Sequence, residues 1–157
     1  MILTADCLRD LLSIHYDRRA RCIDFVAALS SDELTRPSGL ESGSLAGVLD
    51  HCLEAEEHWV QRAILGRETL PPFSSVDGEA LRSRAAQVHA RTMAAVAGLN
   101  DEALRSTVSY AFSDGVRRRA TVAEILLHVI THDFYHRGQI AAIASQRGLE
   151  PPDLDLL

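Results

Sequence analysis

Three histidines recur at every fourth position near the end of the chain: His128, His132 and His136. On an α-helix each step of four turns only ~40° and rises ~6 Å, so the three share one face. Ile125, Val129, Gln139 and Ile143 fall on the same face, and Leu126, Ile130 and Ile140 widen its apolar side. The pattern places a histidine row along the inward side of a largely buried helix. A buried imidazole needs partners for both ring nitrogens, and a divalent metal ion satisfies several imidazoles at once. One ion cannot take all three. His128 and His136 stand ~12 Å apart along the axis, against a metal–nitrogen bond of ~2 Å. An adjacent pair is the workable geometry, either His128/His132 or His132/His136, and spacing leaves that choice open.

A third ligand must then come from another helix. His51 and His58 are the main candidates, on nearly the same face of an earlier helix. His51 lies closer to that helix's apolar stripe, beside Val48 and Ala55, and is favoured. His15 and His89 could also point inward, though a core or surface role serves each of them better. The run His132-Asp133-Phe134-Tyr135-His136 imitates the zincin HExxH motif with Asp for Glu. Asp133 points ~100° away from the histidine row, and only 21 residues follow His136, so a peptidase is not the expected reading.

Four stretches have the period to carry these residues. The first helix is expected from about Thr4 to Leu29, with Ser30-Ser31-Asp32-Glu33 as its break. The second starts at Ser44 as N-cap and stops near Gly66, carrying Leu45, Val48, Leu49, Cys52, Trp59 and Val60 inward. The third runs from about Gly78 to Ala97. Residues 106–120 combine a β-rich run, a Ser-Asp-Gly turn and a second short run, which reads as a small hairpin or irregular loop. The fourth opens on the capping box Thr121–Glu124 and runs to Arg147, with Gly148 as the stop. The tail DLDLL is expected to pack as a short turn. Four amphipathic helices and one minor β element before the last long helix make an all-α four-helix bundle, with residues 1–157 forming a single domain.

Composition removes several function classes. All 16 basic residues are arginine, which excludes lysine Schiff-base chemistry, a pyridoxal-phosphate lysine and a P-loop lysine. The formal net charge of -6 argues against nucleic acid as a partner. Cys7, Cys22 and Cys52 form no CxxC pair, and the opening MILTADCLRDLL lacks the pattern of a signal peptide. No apolar run approaches the ~20 residues of a membrane span. A cytoplasmic protein that binds neither membrane nor nucleic acid is expected.

These motifs resemble the DinB/YfiT-like family of small bacterial metal-binding bundles. The resemblance runs over nearly the whole chain: the opening helix ending in LSSDEL, the segment SGSLAGVLDHCLEAEEHW, the β-like stretch before TVAEILLHV, and above all HVITHDFYHRGQI. It implies an up-down-down-up bundle, often a homodimer, with one divalent metal, zinc or nickel, held by three histidines. Carried onto this sequence, those ligands are His51 of LDHCLEAEEHW and the pair His132 and His136, leaving His128 beside the site. The resemblance also implies chemistry with low-molecular-weight thiols, by a metal-dependent thiol S-transferase or thiol-dependent isomerase acting on a small molecule. The alternatives are a non-catalytic, stress-associated metal-binding bundle and a metal-dependent hydrolase. Arg117-Arg118-Arg119 would meet an anionic thiol or form a solvated strand, and Gln139 and Tyr135 would position substrate or support the bundle.

Overall fold

Each helix begins where a side-chain oxygen can accept one of the first unpaired backbone amides. The computed structural model describes residues 3–40, 43–75, 77–111 and 115–154. Thr4 caps α1 (Ala5–Ala27), Ser30 caps α2 (Ser31–Thr35) and Ser44 caps α3 (Leu45–Glu57). Asp77 caps α4 (Gly78–Ala97) and Asn100 caps α5 (Asp101–Arg105). Thr121 and Glu124 form the reciprocal capping box of α6 (Val122–Gln146). Between α5 and α6, β1 (Thr107–Ala111) and β2 (Arg117–Thr121) pair antiparallel as the expected hairpin, although Ser113 and Asp114 of its turn lie outside the described residues. Of the tail, Leu154 packs on the core and residues 155–157 lie outside the description. Among the described residues no helix is long and apolar enough to cross a membrane.

The four long helices form the bundle, and its two core clusters give their directions. One cluster joins Cys22–Ala27 at the end of α1 to the start of α3, the start of α4 and Ile140 and Ile143 late in α6. The other joins Leu8, Leu12 and Tyr16 of α1 to Trp59, Val96 and the first turns of α6. The order is therefore up-down-down-up. Gly78 marks the meeting of α1 and α4: a Cβ there would overlap the Ala27 carbonyl.

Because α3 and α4 run parallel, the chain between them must return along the bundle, and buried or half-buried polar side chains hold its described residues. Glu57 accepts the Leu70 amide at 2.9 Å, and Asp50 accepts both the amide and the hydroxyl of Ser75 at 2.7 and 2.6 Å. Arg84 donates to the Pro71 carbonyl and Arg91 to the Glu68 carbonyl, each at 2.8 Å.

Three features depart from the sequence expectation. The stretch after Ala27 is not only a break, because α2 plugs the core with Leu34, and α5 does the same with Leu104. The second long helix does not continue as one α-helix to Gly66. From His58 to Ile64 it widens into a π-helical segment, which turns Trp59, Val60 and Gln61 inward in succession. Finally, the histidine row is not wholly inward on α6, where only His136 of the three is buried. His128 is exposed and His132 half-buried, while the buried face runs through Val122, Val129, Asp133, Arg137 and Ile140.

That face carries charge because the bundle interior holds a buried ion network. Arg19 of α1 pairs with Glu56 of α3 and, at 2.9 Å, with Asp133 of α6. Arg137 lies 2.9 Å from the other Asp133 oxygen. Tyr16 of α1 and Thr92 of α4 each donate a hydroxyl to Glu56 at 2.6 Å. All four long helices contribute, and two guanidinium groups balance two carboxylates. Burial by itself would raise the Glu56 carboxyl; Arg19 and the two hydroxyls outweigh it and hold it below the usual carboxylate range. His15 is buried 3.6 Å from Asp133 with neither ring nitrogen hydrogen-bonded among the described residues. Burial first, then the positive charge of Arg19, drives its pKa down to about 2 against the opposing pull of Glu56; Arg137 and His89 add to the lowering.

Two stability tests follow from this interior. Glu56→Gln removes one of the two carboxylates that balance Arg19 and Arg137, and should cost ~3–5 kcal/mol in urea unfolding; a loss under 1 kcal/mol would show that the network holds without it. His15 is neutral in the fold, whereas the unfolded chain takes up a proton near pH 6.5. Folding stability should therefore fall as pH drops from about 6.5 toward 2, by at most ~1.4 kcal/mol per pH unit for this residue. His15→Leu should flatten that slope, and parallel pH profiles for the variant and the parent would reject the assignment.

Candidate metal centre

α3 and α6 lie side by side, so the exposed edge of each faces a shared cleft. His51 projects from the second turn of α3, and His132 and His136 project from successive turns of α6. The Nε2 atoms of His51 and His132 are 3.2 Å apart, and those of His132 and His136 are 3.1 Å apart. One ligand atom from each residue falls within 4.8 Å of the other two. A tetrahedral ion with metal–nitrogen bonds of ~2.0–2.1 Å sets its ligand nitrogens ~3.4 Å apart, so the trio has the right dimensions. Among the described residues, no fourth histidine, cysteine or carboxylate joins this group.

The protonation pattern also suits a cation. Gln139 donates its amide N–H to the Tyr135 hydroxyl at 3.3 Å, which turns its oxygen toward His136 Nδ1 at 2.7 Å. That oxygen can only accept, so Nδ1 carries the proton and the His136 Nε2 lone pair faces the other two imidazoles. His132 is pushed down to about 4, by partial burial first and then by the neighbouring imidazoles of His136, His51 and His128, against a small opposing pull from Asp133. It is therefore neutral at pH 7, the form that ligates metal. The three histidines could hold a metal ion.

The remaining sequence candidates lie elsewhere. His58 stacks edge-on against Trp59 at 5.3 Å, away from the trio. His89 is exposed and stacks on Tyr16 at 4.0 Å, and His15 lies in the buried network. His128 sits one turn above His132, with ring centroids 5.5 Å apart, and meets Trp59 edge-on at 5.2 Å. Arg117, Arg118 and Arg119 lie exposed on β2. Asp133 faces the core, away from the cleft, as its ~100° offset requires. Sequence reasoning missed the partners of Asp133. Arg19 falls at helical spacing with His15, Cys22, Ile23 and Val26, and a charge in an apolar stripe was the available signal.

The DinB family pattern matches residues 4–157. A DinB-like protein from Bacillus cereus ATCC 10987 has the same fold, with a TM-score of 0.76 over 98% of this chain and 99% of that chain, at 16% sequence identity. No curated protein matches the chain. The chain belongs to the DinB family.

Elemental analysis of the purified protein tests the trio. His51→Ala and His132→Ala should each abolish stoichiometric metal, and Gln139→Leu should weaken retention against a chelator by ~10–100-fold. Undiminished metal in both histidine variants would end the assignment.

Proposed function

We propose that His51, His132 and His136 hold one divalent ion, zinc or nickel, and that the protein is a metal-dependent enzyme of the thiol S-transferase or thiol-dependent isomerase type. The observation that carries this reading is the convergence of three Nε2 atoms at a cleft edge where His51 is exposed and His132 half-exposed. Three protein ligands at an accessible edge leave a coordination position for a substrate, as catalytic sites do and closed structural sites do not. Bound there, a divalent ion lowers the pKa of an incoming thiol so that it reacts as thiolate at neutral pH.

The chain's own thiols do not suit that role. Cys22 and Cys52 are buried, and Cys7 stands exposed in the first turn of α1 and is not among the residues grouped with the trio. Burial first, then the charge of Asp133, pushes Cys22 up to about 12, and the same two causes push Cys52 well above its ordinary value. The nucleophilic sulfur is therefore a cosubstrate's. On the protein side, the work is positional: Gln139 and Tyr135 fix the His136 ring, and the packing of α3 on α6 sets the distance of His51. The same reading carries a small-molecule partner and a homodimer.

The test is a panel of cellular thiols, each paired with a small electrophile and incubated with metal-loaded protein. Turnover should require thiol and metal together and should vanish in His132→Ala. Turnover without added thiol would favour a hydrolase, and no turnover with any pair would sink the enzymatic reading.

A further inference from the structure

One turn above the histidine trio, the hairpin, the π-helical segment and α6 enclose a pocket of about 180 Å³ lined by Trp59, Tyr110, Ala120, Glu124, Ile125 and His128. Trp59 and Ile125 are buried and form its floor, with relative exposures of 8% and 2%. The Trp59 indole meets the Tyr110 ring edge-on at 4.9 Å and the His128 ring edge-on at 5.2 Å. Among the described residues the single carboxylate on the wall is already engaged: Glu124 accepts the Thr121 amide at 2.7 Å and the Thr121 hydroxyl at 2.9 Å. The rest of the described lining is an indole, a phenol ring, an isoleucine and an alanine methyl, beside the His128 ring. Ligand sites have this make-up, an apolar lining with a few polar groups at one end. Here the polar end is His128, whose ring centroid is 5.5 Å from that of His132. An apolar cavity of ~150 Å³ suffices for a benzene ring, so the space suits one six-membered ring or a compact branched alkyl group.

We propose that this pocket is a substrate subsite, which takes an apolar, ring-sized group of a small molecule whose polar end lies at the three histidines. Trp59 reaches the pocket from the π-helical segment, on the same inward stripe as Cys52 one heptad earlier. The selectivity follows from size and lining: a ring joined to its reactive heteroatom by one or two atoms spans the pocket and the trio, while a short polar thiol leaves the pocket unused. The subsite rests on the trio being the reactive centre, and its test separates the two.

Trp59 is the only tryptophan in the chain, so its emission reports the pocket directly. Zinc-loaded protein is titrated with phenylmethanethiol and with ethanethiol, and metal-stripped protein with toluene. Phenylmethanethiol should shift Trp59 emission and bind ~10-fold or more tightly than ethanethiol, the gain expected from burying a ring. Toluene should shift the emission without metal. Ala120→Leu, which fills the pocket, should erase the preference for the ring while elemental analysis shows unchanged zinc. Tyr110→Ala, which removes a wall, should do the same and serves if the first variant does not fold. Equal affinity for the two thiols, or an intact ring preference in either folded variant, overturns the proposal. A toluene response in protein that takes up no zinc keeps the pocket and removes the metal reading; zinc uptake without any ring response does the reverse.

Discussion

The structure depends on Arg19, a guanidinium buried to 3% exposure between the carboxylates of Glu56 and Asp133. A lone charge at that depth costs several kcal/mol, so the side chain is tolerable only when both acids are in reach. Tyr16 and Thr92 then hydrogen-bond Glu56, and Arg137 lies within ion-pair distance of the other Asp133 oxygen. Such a network closes or fails as a set. Apolar contacts tolerate sliding by part of a turn, but a guanidinium that must reach one oxygen on α3 and another on α6 does not. The two helices carrying those acids also carry the histidines. Glu56 follows His51 on α3 by five residues, and Asp133 sits between His132 and His136 on α6. The constraint that fixes the acids in the interior thus fixes the imidazoles at the rim.

The same two helices therefore have two working sides. The inner side is charged, balanced and sealed, and the outer side is neutral and open. Their separation comes from helical geometry: consecutive residues diverge by ~100°, so Asp133 can face the core while His132 faces the cleft. The crossover after the π-helical segment follows a similar logic. Parallel α3 and α4 require a long connection, whose exposed amides and carbonyls would be costly against the bundle without partners. Asp50, Glu57, Arg84 and Arg91 supply those partners. Polar residues within the bundle are thus fasteners, and their number reflects the topology.

Much of this was legible in the sequence. The Ser44 cap, the Thr121–Glu124 box and the apolar period located the starts of the long helices, because those signals are local and each residue acts on its own chain neighbours. The four-residue spacing placed His132 and His136 together for the same reason. What the sequence hid depends on contacts between distant segments. α2 and α5 are too short to show a period, and their caps, Ser30 and Asn100, were the only local signs. The π-helical segment lies where Trp59 meets Tyr110 of the hairpin, a contact that no window of the second helix contains. The buried face of α6 was misplaced because hydrophobic pattern counts Asp133 and Arg137 as outward residues. Their burial becomes sensible only with Arg19, more than a hundred positions away, in view.

That correction bears on chemistry. A metal site built for hydrolysis commonly sets a carboxylate beside the ion as general base, and the HDFYH run invites that role for Asp133. The fold denies it. Asp133 is 1% exposed, held by Arg19 and Arg137, and turned away from the cleft. Glu56 is sealed in the same network. The side chains that do surround the trio are neutral: the exposed His128 ring, the Gln139 amide and the Tyr135 hydroxyl. A site furnished in this way is better matched to a nucleophile that needs only a lowered pKa than to one that needs a protein base. A thiol meets that requirement more readily than water, since its ordinary pKa lies far closer to neutrality. The arginine that organises the interior thereby also narrows the reaction at the rim, by removing from it the one carboxylate the local sequence seemed to offer.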